Sequence, residues 1–405
     1  MEGRMLRRGR VAVLGAYTAQ GLGYAVVVTS LPALKARQQI DDTVVSLIVL
    51  GVCVFAAGGS FIADAVARRG GSRAALVLGL ALQAVALPLI ALPLPPALFF
   101  AAFAVYGLGL GAVDASSAMQ GVILQRAHGS PLLGGFFAGY TAAAIVGALV
   151  VSAASGMTAR VPALGAAIAL LIAGVWAAAV AAAGSRRFAA EEHPTGDAEG
   201  AQPRHRLPVR GIWIFGAVIL AVFVLDSAVS TWSTVYLQDD LGVLAWVAPL
   251  GYGAYQVAVL GTRLATDVLL RRAGARLLVA VAVVVAAIGC VGVVALPSPA
   301  AAIAGFALAG VATGALVPAA FGSAGELDPA RSDEVIARVN VFTYVGAVVG
   351  AVAVGLLADG PGLATAFLIP AVAIAAVLLV LRAFPRRAPG AASGTRAQAL
   401  DTLER

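Results

Sequence analysis

The chain has 405 residues, of which 61% are hydrophobic and only 12% charged, with a mean hydropathy of +0.95 and a formal charge of +7. Soluble globular chains run near half apolar and a quarter charged, so this composition excludes an ordinary water-soluble domain and points to the membrane class. The basic residues are spread over many loops rather than gathered on one face, which argues against a nucleic-acid partner.

A membrane-spanning helix needs about 20 apolar residues, and the sequence divides into about twelve such runs. Arg4, Arg7, Arg8 and Arg10 precede the first, Val11–Leu34, which is too long for the apolar region of a cleaved signal and reads as an uncleaved span. Helical spacing places Tyr17, Gln20 and Tyr24 on one face of it. Val44–Val66 comes next and runs into an acidic-basic stretch with Asp64, Arg68, Arg69 and Arg73. Ala74–Leu92, Ala97–Leu124, Leu132–Ala153 and Val161–Ala183 complete six spans. The fourth holds Asp114 on a stripe of Gly107, Gly111, Ala118 and Gly121 suited to close helix packing, and the fifth holds Tyr140.

The segment 184–210 is the one long polar stretch between spans and reads as a cytoplasmic linker. Six further spans are predicted at Gly211–Leu237, Ala245–Leu270, Leu277–Leu296, Ala300–Phe321, Val335–Leu357 and Leu363–Leu381. The chain is thus expected to form an N-terminal half (1–183), the linker, a C-terminal half (211–384) and a disordered cytoplasmic tail (385–405). Of the 27 lysines and arginines, only Lys35, Arg37 and Arg160 fall in the odd-numbered loops, and this asymmetry puts both termini in the cytoplasm.

Charges inside spans are costly and call for a reason. Asp226, in the seventh span, is the sharpest case. No Lys or Arg shares its span, and Ser227, Ser230, Thr231, Ser233 and Thr234 are expected to let that half of the helix face water. A desolvated carboxylate there can load and release a proton. The alternative is a carboxylate satisfied by hydroxyls or helix ends, with no transport role. Trp232 lies on the same span. Tyr252, Tyr255 and Gln256 share a face of the eighth span, and Asn340, Thr343 and Tyr344 a face of the eleventh. With Tyr17, Gln20, Tyr24, Tyr140 and Trp232 they are candidate contacts for a small polar solute, by hydrogen bonding or ring stacking, or else packing and interfacial residues.

Other signals carry little. Gly107-Leu-Gly109-Leu-Gly111 lies within an apolar span rather than at a strand-to-helix turn, so it is no dinucleotide loop. His128, His193 and His205 make no metal spacing, and Cys53 and Cys290 read as small core residues. No cofactor, metal or enzymatic constellation is expected, and without a phosphate-binding loop for ATP the energy must come from a gradient.

The two halves match in sequence. Asp64-x3-Arg68-Arg69-x-Gly71-x-Arg73 recurs as Asp267-x3-Arg271-Arg272-x-Gly274-x-Arg276, an offset of 203 that also pairs Gly58 with Gly261, Gly107 with Gly310, Gly111 with Gly314 and Gly147 with Gly350. A duplicated six-helix unit is the signature of many secondary transporters, whose site lies between the repeats.

Two six-helix halves, a cytoplasmic linker and an acidic-basic loop after the second helix of each half resemble the major facilitator superfamily over essentially the whole chain. A narrower resemblance is to a bacterial branch distantly similar to fucose permease-type sugar/proton symporters. It rests on Ser30-Leu31-Pro32-Ala33-Leu34-Lys35, on Gly111-Ala-Val-Asp114 with Gln120-Gly121 and Arg126, and on Asp226-Ser-Ala-Val-Ser-Thr-Trp232-Ser233-Thr-Val-Tyr236-Leu237. Ala118, Gln125 and Phe137 depart from that branch's pattern. Drug/proton antiporters of the superfamily carry an arginine in the fourth helix and a glycine-proline run in the fifth, and neither is present.

The resemblance implies an all-α membrane fold of twelve helices. It also implies that Asp64, Arg68, Arg69 and Arg73, with Asp267, Arg271, Arg272 and Arg276, form a cytoplasmic gate rather than serving only as positive-inside anchors. For Asp114 it leaves a gate-pairing role, proton carriage with Asp226 or a structural role open. The expected protein is a monomeric, proton-coupled carrier of a small organic solute in the cytoplasmic (inner) membrane, with protons and membrane lipid as its other partners. An exporter of amphipathic compounds is the alternative.

Overall fold

The computed structural model describes residues 2–128, 132–158, 161–184, 207–328, 332–358 and 360–385, and within them every regular element is helical. The first set comprises α1 (Glu2–Thr29), α2 (Leu31–Gln38), α3 (Asp42–Ala91), α4 (Pro96–His128), α5 (Leu133–Met157) and α6 (Pro162–Gly184). The second comprises α7 (Val209–Val235), which runs on into a π turn (Tyr236–Asp240), then α8 (Pro249–Ala295), α9 (Pro299–Gly325), α10 (Ser332–Ala358), α11 (Leu363–Ala366) and α12 (Leu368–Ala376) with a 3-10 extension to Ala383. Most of the predicted linker (185–206) and nearly all of the tail (386–405) lie outside the described residues.

Local chemistry sets several boundaries. The first predicted span breaks at Ser30 instead of running to Leu34, and α2 restarts with Pro32 in its first turn, where a missing N–H costs nothing. The carboxylate of Asp41 accepts from the Val44 N–H at 2.8 Å and caps α3, and the Ser298 hydroxyl does the same for Ala301 at α9. At C-terminal ends arginines take up the free carbonyls. Arg37 donates to the oxygens of Ile90 and Ala91 at 2.7 Å each, and Arg276 to those of Phe384 at 3.1 Å and Arg382 at 2.7 Å.

The stretches around Asp64–Arg73 and Asp267–Arg276 each join two helical arms, and in α3 these are the separate spans Asp42–Ala67 and Arg69–Ala91. The helical path is broken at one glycine in each, Gly71 at φ 79°, ψ 158° and Gly274 at φ 77°, ψ 158°. The chain reverses there: α4 meets the first arm of α3 in parallel order, Gly107 at Val52 and Gly111 at Ala56, and the second arm in the opposite order, Gly109 at Gln83 and Val113 at Gly79. The duplicated motif therefore encodes one helix-to-helix turn twice, in a backbone region that side chains rarely adopt. The repeat extends to packing. In the first set, a Cβ on Gly107 would lie 2.7 Å from the Val52 oxygen and one on Gly111 would collide with that of Ala56; at the same offset, Gly310 meets the Tyr255 oxygen and Gly314 the Val259 oxygen.

Among the described residues, eleven segments are long and apolar enough to cross a membrane. The predicted span Ala245–Leu270 is helical from Pro249 but is not among them, because Tyr252, Tyr255, Gln256 and Arg263 dilute its apolar content. Buried apolar residues from 212 to 384 form one cluster that reaches into α1, α3 and α5, while three others lie wholly within residues 12–181. α5 packs on α8, α10 on α3 and α1 on α7 across the two sets.

Candidate functional site

The end of the molecule where α1 finishes is closed. Lys35 of α2 bridges Asp42 at 2.6 Å and Asp239 of the π turn at 2.8 Å, tying the two helix sets together. Burial opposes the charge of Lys35, but its hydrogen bonds to Asp239 and Asp42 more than offset this, and its pKa is raised. The Ser152 hydroxyl donates to the Trp246 carbonyl, and Gly355 lies so close to Ser46 and Trp232 that a methyl group there would collide with both.

Inward from this closure lies a polar cluster. From the first set, the Gln20 side chain donates to Asp114 at 2.8 Å and to the Leu110 carbonyl at 3.1 Å, and Gln83 donates to the Gln20 oxygen. Tyr17 bonds to Ser117 and stacks on Phe136 with ring centroids 5.5 Å apart, while Phe137 meets its edge. From the second set, the Tyr255 hydroxyl donates to Asp226 at 2.5 Å and shares a 2.9 Å hydrogen bond with Thr313, and Gln256 donates to the Tyr252 hydroxyl. Tyr24 and Tyr140 join the sets, since both interact electrostatically with Tyr252 and Asp226. Tyr344, bonded to Asn340, reaches the field of Asp114, and Thr343 donates to Asn340 at 3.4 Å.

Seven of the chain's eight tyrosines thus gather around two aspartates. Asp114 is exposed although residues of α1, α5 and α10 lie around it, so solvent reaches the site. Asp226 is half-buried.

Several sequence expectations are corrected. The hydroxyls beside Asp226 do not face water: Ser227, Ser230, Thr231, Ser233 and Thr234 are all buried. Ser227 donates to the Ala347 carbonyl and Trp232, fully buried, to that of Ala351, both at 2.7 Å, so this side of α7 packs against α10. Trp232 stands apart from the tyrosine cluster, at the closed end. Asp226 also has a cationic neighbour that its own span lacks: Arg263 of α8 acts on it electrostatically and donates to Thr141 of α5 at 2.9 Å, across the two sets.

The expected gate residues lie at the end opposite the Lys35 closure. Asp64 and Arg73 are half-buried, Arg69 and Arg272 are exposed, and Arg276 is taken up by the chain end after α12. The side chains of Arg68, Asp267 and Arg271 lie outside the described residues. Sequence reasoning missed Gln83, Tyr106, Thr141, Arg263 and Thr313, and it used Lys35 as a topology marker and as the end of a resembling segment, not as an ion-pair partner. Arg263 and Gln83 carried a usable signal, being polar residues inside predicted spans; a lone Thr carries none.

The Major Facilitator Superfamily model matches residues 13–307. An uncharacterized MFS-type transporter of Yersinia pestis is 27% identical over 376 residues, covering 92% of this chain and 94% of that protein. Membrane protein MosC of Rhizobium meliloti is 32% identical over 155 residues, 38% of each chain. Among solved structures, the nucleoside transporter NupG superposes with a TM-score of 0.68 at 13% identity, covering 92% of this chain and 98% of its own. The D-xylose-proton symporter does so with 0.70 at 16%, covering 93% and 97%.

Proposed function

The chain belongs to the major facilitator superfamily, and from that premise we propose that it is a proton-coupled secondary transporter that moves a small polar organic solute by alternating access. The two helix sets act as its two moving halves, joined by the 184–210 linker. The end that carries the Asp64–Arg73 and Asp267–Arg276 turns is cytoplasmic, as the distribution of basic residues supports, and the membrane is the cytoplasmic one. The conformation is then inward-open, with the Lys35 closure on the outside. In the opposite state Asp64, Arg68, Arg69, Arg73, Asp267, Arg271, Arg272 and Arg276 supply the contacts that seal the cytoplasmic end.

The observation that carries this reading is the pair of carboxylates, Asp114 and Asp226, held on opposite sides of one tyrosine-lined site between the two sets. An intramembrane acid is expensive unless it does work, and here both are positioned by donors rather than by contact ion pairs. Asp226 is assigned the proton. Asp226→Asn keeps the shape and the Tyr255 contact but cannot change charge, so accumulation driven by a pH gradient in proteoliposomes should be lost while solute exchange without a gradient survives. Full accumulation by the variant would move the proton to Asp114 or remove the coupling altogether.

A further inference from the structure

Arg263 is the unexplained charge of the site. Among the described residues it makes one hydrogen bond, to Thr141, and no ion pair, although a guanidinium has five N–H donors in a planar fork. Asp226 lies within its electrostatic reach, but the carboxylate oxygen in use is taken by Tyr255. A tether between α8 and α5 needs no charge, since a Gln–Thr pair would serve without the cost of a cation within the membrane. What a half-buried, under-used guanidinium fits is a planar oxyanion that it can hold with two parallel bonds.

We infer that the solute carried by this site is an organic acid whose carboxylate is received by Arg263 while Asp226 holds the proton. This rests on the transport reading and names its substrate class. An ionised Asp226 repels the incoming carboxylate and competes for the same cation; a protonated one does neither, so acid and proton enter together. The remaining polar groups that face Asp226 are Tyr252 and Tyr255 of α8, Tyr24 of α1 and Tyr140 of α5, with Asp114 beyond Tyr140. All four tyrosines are neutral hydroxyl carriers, suited to the rest of a hydroxylated acid.

The test is binding without any gradient, read as the thermal stabilisation of purified full-length protein by matched acids and neutral counterparts: lactate beside 1,2-propanediol, gluconate beside glucitol, galacturonate beside galactose. At least one acid should stabilise the protein more than its counterpart does, and more strongly as pH falls. In Asp226→Asn that acid's effect should lose its pH dependence. In Arg263→Gln its affinity should drop by roughly ten- to a hundredfold, the worth of one charge-assisted pair. Arg263→Lys, which keeps the charge but not the fork, should fall between and covers the case in which the glutamine variant does not fold. Equal stabilisation by the neutral partners, an acid effect that survives in both Arg263 variants, or no response to any of the three acids would overturn the inference. None of these outcomes bears on gradient-driven flux in Asp226→Asn, which judges the transport reading separately.

Discussion

At the scale of single residues, the site is a set of carboxylates held by neutral donors, and the donors should therefore be measurable. Gln20 serves both Asp114 and the Leu110 carbonyl, and Gln83 holds Gln20 by its oxygen. Gln20→Leu removes a bond to a charged group and should lower stability by about 1–3 kcal/mol, whereas Gln83→Leu removes a neutral–neutral bond and should cost about 1 kcal/mol. Thermal unfolding of the purified protein ranks the two; the reverse order would mean that Gln20 does not support Asp114. Both aspartates and the tyrosine faces of α1 and α8 were legible in the sequence, because a charge or a periodic polar residue in an apolar span stands out. Arg263 was equally visible as a charge inside a predicted span, four residues before the repeated motif that begins at Asp267. What could not be read was direction. The hydroxyls after Asp226 have helical spacing that fits a wet face or a tight helix contact equally well, and packing against α10 decides for the second.

Among the elements, α3 and α8 show how a duplicated motif becomes duplicated geometry. Gly71 and Gly274 share a positive φ within 2° of each other, while the adjacent Gly70 has no such angle and its Cβ would meet only the Ala74 methyl, at 3.3 Å. Gly71→Ala and Gly274→Ala should each destabilise by roughly 1–3 kcal/mol, the cost of holding an L-residue in a positive-φ extended region that is essentially glycine's alone. They should add in the double variant, being in separate halves. Gly70→Ala should be neutral or stabilise by up to about 1 kcal/mol through helix propensity. Equal effects at positions 70 and 71 in thermal melts would show that the turn's positive φ is not what the glycine provides. The sequence located both motifs, the spans on either side and the turn between them, because a charged stretch interrupts the apolar runs. Which glycine takes the positive φ is set by the path of the turn, and with Gly70 beside Gly71 the sequence does not show it.

For the whole molecule the question is what holds the closed end shut, and the structure assigns that to a residue which the sequence offered as one of three exceptions in a charge count and as the last residue of a resembling segment. Lys35 pairs with Asp42 of its own set and with Asp239 of the other, and its side chain is only 19% exposed. A shielded ion pair is costly to break by halves, since removing one partner leaves the other without its counter-charge. Lys35→Met should therefore shift the population toward states open at that end. Cys53 provides a native reporter: it is half-buried and within the electrostatic field of Tyr24, while Cys290 is buried elsewhere and can be replaced by alanine. A membrane-impermeant thiol reagent added to intact cells should label Cys53 faster in the Lys35→Met protein than in its parent. The pH dependence follows from the sign of the lysine's shift. Its folded pKa is raised, so its contribution is fully present below the ordinary lysine value and is lost only as pH rises through the raised one. Thiolate formation raises Cys53 labelling with pH in both proteins, so the readout is the ratio of the Lys35→Met rate to the parent rate, which should stay constant across neutral pH and fall toward one only under strongly alkaline conditions, where Lys35 loses its charge. If labelling is unchanged by the substitution at every pH, the Gly355–Trp232 contact and the Ser152–Trp246 bond hold the closure by themselves, and Lys35 is not its latch.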